Sequence, residues 1–225
     1  ESLVNALIAT EDSRFFEHNG LDVPRFIKAS VKQVLGQPNA GGASTLSMQV
    51  IKNSFTSTEA SGIKGIIRKF TDIYLAVFKL EKAYTKQEIV EFYVNNHYLG
   101  NNSYGVEQAS QLYFGKSVSD LNTAEAALLV GMFKAPSQYD PYTHPEAAEK
   151  RRATVLYLMR KHGYITKEEE KIANSIPVSS LLSEKRAIAA NEYQAFIDTV
   201  VEQVVDTYDL DPYSTPMLIY TTMDR

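Results

Sequence analysis

A chain of 225 residues with 44% hydrophobic content and a net charge of −4 can bury a real core in one domain or two closely packed lobes, which excludes a disordered protein. The acidic balance excludes a general nucleic-acid binder, whose affinity needs an excess of Lys and Arg, so any basic site must be local. The absence of Cys excludes disulfides and thiolate metal sites, and the four His show no clustered ligand spacing.

No apolar run reaches the roughly eighteen to twenty residues that span a bilayer, and no signal peptide is visible. Glu1 nevertheless falls inside a helical pattern, so an N-terminal continuation, an anchor, is expected. From Leu3 the apolar spacing predicts a helix. If it runs on, Val4, Leu7, Glu11, Phe15 and His18 share one face at spacings of three and four. Glu11 then lies on an apolar stripe, partly desolvated, as a general base working near neutral pH would be. An ion-paired structural carboxylate fits the same pattern.

After Pro38 comes Asn39-Ala40-Gly41-Gly42-Ala43-Ser44-Thr45, glycines followed by a cap. Such a helix start leaves amides free for an anion or a sugar oxygen, though a plain turn into a helix reads alike. Thr45, Gln49 and Lys52 fall on one polar face of the helix that follows. Between Asn53 and Arg68, Ser and Gly mixed with Phe55, Ile63, Ile66 and Ile67 predict a mobile segment, about 53–67, with exposed apolar groups. A membrane surface or a partner would cover them, unless they cover the core from a loop. Arg68 and Lys69 beside Lys52 offer a clamp for a diphosphate, while Arg68 and Asp72 also have the spacing of a solvated ion pair.

Helix punctuation dominates the remainder. Capping boxes are predicted at Thr85/Glu88, Asn122/Glu125 and Thr166/Glu169. Thr123 to Phe133 is nearly all apolar and reads as a buried central helix. Pro145 to His162 is amphipathic and stops at Gly163, and 191–208 repeats the pattern. Only Met217 to Thr222 alternates like a strand, and it looks like the opening of a further module.

Five ordered motifs then coincide with one family. Glu11, Asp12, Phe15, His18 and Gly20 match E-D-x-x-F-x-x-H-x-G, and Gly42 to Gln49 follows G-G-S-T-x-T-Q-Q with Lys52 and Asn53 behind it. Arg68-Lys69-Phe70-Thr71-Asp72 follows R-K-x-x-E. Lys86 to Asn95 and Glu125 to Leu129 with Lys134-Ala135-Pro136 supply the last two. The chain resembles the peptidoglycan glycosyltransferase domain of class A penicillin-binding proteins and their monofunctional relatives over roughly residues 1 to 165. It departs at Ala43, Met48 and Asp72, where the family has Gly, Gln and Glu, and it holds one residue more than usual between Asp72 and Glu81.

The resemblance implies an all-α, lysozyme-like, bilobal fold, with a larger globular lobe and a smaller membrane-facing one. Residues 1–175 form the glycosyltransferase domain, and 176–225 a C-terminal helical extension leading toward a transpeptidase domain. It also implies polymerisation of lipid II at the extracytoplasmic face of the bacterial cell membrane, with release of undecaprenyl pyrophosphate and inversion at the anomeric carbon. Glu11 becomes the general base, and Asp72 assists the leaving group directly or through a divalent cation, with no other cofactor required. Lys52, Arg68 and Lys69 stabilise the departing pyrophosphate. Asp12 holds local geometry, Phe15 and His18 line the site, and Ser44, Thr45, Gln49 and Asn53 contact sugar or phosphate. A lysozyme-like glycan-cleaving enzyme, which needs no basic clamp, and a non-catalytic membrane scaffold are the competing readings.

Overall fold

The computed structural model describes residues 1–34, 43–55, 62–184, 194–208, 219 and 221. Among these the protein is all-α. The chain opens with α1 (Ser2–Glu11), α2 (Val23–Val34), α3 (Leu46–Phe55) and α4 (Gly62–Leu75). From α4 the helix continues through a π segment, Ala76–Leu80, into α5 (Glu81–Ala83). Then come α6 (Lys86–Asn95), α7 (Val106–Phe114), α8 (Thr123–Met132), α9 (Pro145–Lys161), α10 (Lys167–Ser175), α11 (Val178–Leu181) and α12 (Gln194–Tyr208). The only β pairing among the described residues is an isolated bridge between Tyr98 and Tyr104.

Local chemistry explains most boundaries. All three capping boxes form: Thr85, Asn122 and Thr166 each accept from the third helical amide, and Glu88, Glu125 and Glu169 each reach back to the cap amide. Proline opens α9, and Gly163, at φ +78°, follows its end. Because α8 is buried from Ala124 to Met132, it needs apolar residues all round. It packs against α1, α7, α9 and α10 and forms the centre of the core with Leu7, Ile8, Val155 and Leu156.

Three expectations are corrected or left aside. The first helix stops at Glu11 and does not run on to His18. Asp12 leaves the helix with φ −155° and ψ 77°, and Phe15–Glu17 form a separate 3₁₀ turn. The cause is long-range, since the Asp12 carboxylate is drawn to an amide in α3. Next, the described part of 53–67 is helical, Phe55 closing α3 and Gly62 opening α4, while 56–61 lie outside the described residues. The suspected strand at 217–222 also lies outside them, except Ile219 and Thr221, which are in no strand.

The interval between Asp72 and Glu81 holds the π segment, whose turn takes up one residue more than an α turn. Gly20 packs directly onto it. At φ +83°, a Cβ there would meet the Ala76 carbonyl carbon and the Val77 nitrogen at 3.0 Å, so only glycine fits.

Candidate functional site

Glu11 is the last residue of α1, half-buried. The residues after it tie this helix end to the start of α3. Fully buried Asp12 accepts from the Leu46 amide (3.0 Å) and sits 3.1 Å from His18 Nε2 through both oxygens. Arg25 reaches toward Asp12 (3.8 Å) and donates to the Glu11 carbonyl (3.2 Å). Thr45, also fully buried, caps α3 by accepting from the Met48 amide (3.2 Å), while its hydroxyl donates to the Gly20 carbonyl (2.6 Å). Together these bonds set the register of α3 against α1. Gln49, one turn into α3, therefore donates from Nε2 to Glu11 Oε2 (3.2 Å).

Beyond Gln49 opens a cleft of about 210 Å³. It is lined by Ser44, Met48, Gln49 and Lys52 on one side and by Gly65, Arg68, Lys69 and Asp72 of α4 on the other. Three cations and one carboxylate give this lining a formal charge of +3 − 1 = +2, in a chain of net charge −4. It is smaller than the roughly 300–1,000 Å³ of sites that enclose a drug-sized ligand, which suits an anionic headgroup better than a whole substrate. Lys69 also reaches the Phe26 ring of α2, 6.0 Å from its centroid.

The predicted residues thus fall into groups. The structure brings Ser44, Gln49, Lys52, Arg68, Lys69 and Asp72 into one cleft and ties Glu11 to it through Gln49. Asp12, Phe15, His18 and Thr45 support it from behind: Phe15 is fully buried, and the His18 ring is nearly so. Asn53 is exposed on α3 and does not line the cleft.

Sequence reading assigned no role to Arg25, Glu81, Lys86 or Tyr93. Lys86 donates to the His18 carbonyl (2.5 Å) and to Glu81 (2.8 Å), with its Nζ 4.1 Å from the centre of the Phe15 ring. Glu81 in turn accepts from Ser47 of α3. Tyr93 donates to Gln49 Oε1 (3.2 Å). Lys86 and Tyr93 sit in the fourth motif, the only signal that could have found them, and Arg25 carried none.

Burial, then the charge of Glu11, pushes the Tyr93 phenol above its usual range, so it stays a donor. Burial pushes His97 down, against the Phe133 carbonyl and Glu11, which pull it up. At Asp22 burial acts upward, but the Arg25 amide and the Arg14 guanidinium together outweigh it and hold the carboxyl below its ordinary value. Among the described residues, one group, Asp12, His18 and Asp22, clusters closely enough to hold a metal ion. Its charge is already met by Arg14, Arg25 and the Leu46 amide, which fits a structural network better than a cation site.

The profile of the Transglycosylase family matches residues 1–160. Penicillin-binding protein 1A of Streptococcus oralis is 41% identical over 99% of the chain, which spans 35% of that protein. Penicillin-binding protein 1A/1B of Bacillus subtilis is 38% identical over 97% of the chain and 24% of its own length, and penicillin-binding protein 1A of Aquifex aeolicus 38% over 100% and 30%. The chain thus spans about a third or less of the curated relatives it matches. A profile covering the motif-bearing region and relatives aligned along nearly the whole chain place it in the transglycosylase family.

Proposed function

We propose that the chain is a peptidoglycan glycosyltransferase that polymerises lipid II into β-1,4 glycan. The carrying observation is the convergence of Lys52, Arg68, Lys69 and Asp72 in one cleft that adjoins Glu11 through Gln49. With one Glu11 oxygen held by Gln49, the other takes the proton from the acceptor's 4-hydroxyl. The freed oxygen attacks the anomeric carbon of the lipid-linked donor from the face opposite the pyrophosphate, so the configuration inverts. The bond to undecaprenyl pyrophosphate breaks, and its electron pair stays on the pyrophosphate oxygen, where Lys52, Arg68 and Lys69 stabilise the charge. Asp72, buried at the cleft wall, assists the leaving group. The cations supply what a divalent ion would, so no cofactor is required; such an ion could share Asp72 with the pyrophosphate.

The smaller, membrane-facing lobe in this reading is built from α2 to α4. No helix among the described residues is long and apolar enough to cross a membrane, but an apolar surface is laid out along them. Ile66 (59% exposed), Phe70 (62%) and Tyr74 (53%) on α4 and Phe78 (50%) on the π segment after it recur every four residues, and Ile67, Phe55 and, on α2, Val23, Ile27 and Val31 are exposed as well. Patches of this kind bind partners or lipid surfaces. Lipid II lies in a bilayer, so contact with the outer leaflet at the extracytoplasmic face brings substrate to the cleft. Polar replacement of Ile66, Ile67 and Phe70 is expected to weaken liposome binding by at least about tenfold without lowering the melting temperature; unchanged binding contradicts this surface. The catalytic unit is residues 1–175, with 176–225 leading toward a transpeptidase domain.

The test is incubation with labelled lipid II and, separately, with preformed glycan. Polymer from the parent chain, formed at least about 100-fold more slowly by Glu11→Gln, supports the proposal. Cleavage of preformed glycan favours a lysozyme-like hydrolase, and no reaction with either substrate a non-catalytic scaffold.

A further inference from the structure

We infer that Tyr93 is a positioning residue for the base, locking the Gln49 side-chain amide so that its NH₂ group faces Glu11. The inference rests on the reading of Glu11 as the base. The direction of the relay follows from what each group can do. An ionised carboxylate only accepts, so the group that Gln49 turns to Glu11 Oε2 (3.2 Å) must be its NH₂. Oε1 then points the other way, 3.2 Å from the Tyr93 hydroxyl, which must donate. Without that donor, either end of the amide could turn to Glu11, and the wrong end would set two acceptors against each other.

The donor itself is rigid. Tyr93 is 4% exposed. Its ring stacks on Phe133 at 5.4 Å with an interplanar angle of 12°, and His97 lies 5.4 Å away on a centroid basis. His97 is anchored in turn by the Phe133 carbonyl, 3.0 Å from Nε2. Burial and the Glu11 charge keep the phenol protonated, so the Tyr93 hydroxyl remains able to donate. The consequence for the reaction is positional: Gln49 occupies Oε2 of Glu11 and leaves the other carboxylate oxygen to take the proton. Tyr93 touches no substrate and acts through Gln49.

Tyr93→Phe removes the hydroxyl and keeps the ring. In lipid II polymerisation its kcat is expected to fall about tenfold, the effect of one net hydrogen bond, with KM within twofold of the parent. The Tyr93→Phe/Gln49→Ala double variant is expected to be no slower than Gln49→Ala alone, because the two residues act in series. A purely structural role would instead give added losses in the double variant. A second readout needs no turnover: the side-chain amide protons of Gln49, followed by NMR in the full chain, exchange slowly in the parent and at least about tenfold faster in Tyr93→Phe. If the parent makes no polymer, the polymerase reading fails, and the amide exchange still decides the role of Tyr93. An unchanged kcat, additive losses or unchanged Gln49 exchange overturns the inference.

Discussion

Glu11→Gln is expected to slow glycan polymerisation by about 10²–10⁴-fold, the range that a positioned general base contributes, while the protein stays folded and still binds lipid II. Glutamine has nearly the shape of glutamate and can still meet Gln49, but it cannot take the proton of the acceptor hydroxyl. The structural loss is small because, among the described residues, the one side-chain hydrogen bond at stake is that from Gln49, worth about 1 kcal/mol net. An opposing effect comes from the position of Glu11 as the last residue of α1. A negative charge there faces the negative end of the helix dipole, so neutralising it returns about 0.3–1 kcal/mol. The melting temperature should therefore stay within a few degrees of the parent. Affinity is retained because the cations that would hold the pyrophosphate lie on α3 and α4. Initial rates with labelled lipid II and a thermal melt check both halves; a variant within tenfold of the parent rate removes Glu11 from the role of base.

Asp12→Ala should do the opposite and damage the fold as much as the rate. Its carboxylate is fully buried, accepts from the Leu46 amide, bridges His18 and faces Arg25. Truncation leaves a buried amide without its acceptor and removes the carboxylate that lies 3.1 Å from His18 Nε2. Breaking a buried charged network in this way costs about 3–5 kcal/mol. Activity is lost with it, because the bond from Asp12 to Leu46 sets where α3 begins, and hence where Gln49 meets Glu11. Asp12→Asn keeps one acceptor oxygen and should cost less, about 1–3 kcal/mol. Urea unfolding of both variants checks the order. An Asp12→Ala variant as stable as the parent contradicts the role given to this carboxylate.

What was legible in the sequence was mostly local. Capping boxes involve residues three apart, so Thr85, Asn122 and Thr166 announce their helices without reference to the rest of the chain. The same holds for α8, where an unbroken apolar run leaves no side that can face water. The end of α1 was not legible, since the spacing of Val4, Leu7, Glu11, Phe15 and His18 continues past it. What stops the helix is a hydrogen bond from Leu46 to Asp12, 34 residues away in sequence. Nothing in the local sequence announces the π turn at Ala76–Leu80, which only the structure shows.

At the site, motif matching singled out residues without separating the cleft wall from its support. Ser44 and Thr45 are neighbours in one motif, yet Ser44 lines the cleft and Thr45 is sealed behind it. Lys86 and Tyr93 escaped for a related reason: each acts by holding another group, and periodicity carries no record of that.

The most direct measurement is the stoichiometry of a single reaction: labelled lipid II supplied in vesicles to the full chain, with new β-1,4 linkages and released undecaprenyl pyrophosphate counted together. The account predicts one lipid pyrophosphate released for each linkage formed, and both products formed at least about 100-fold more slowly by Glu11→Gln. Linkage cleavage without lipid release, or no turnover by a parent chain that binds lipid II, would contradict it.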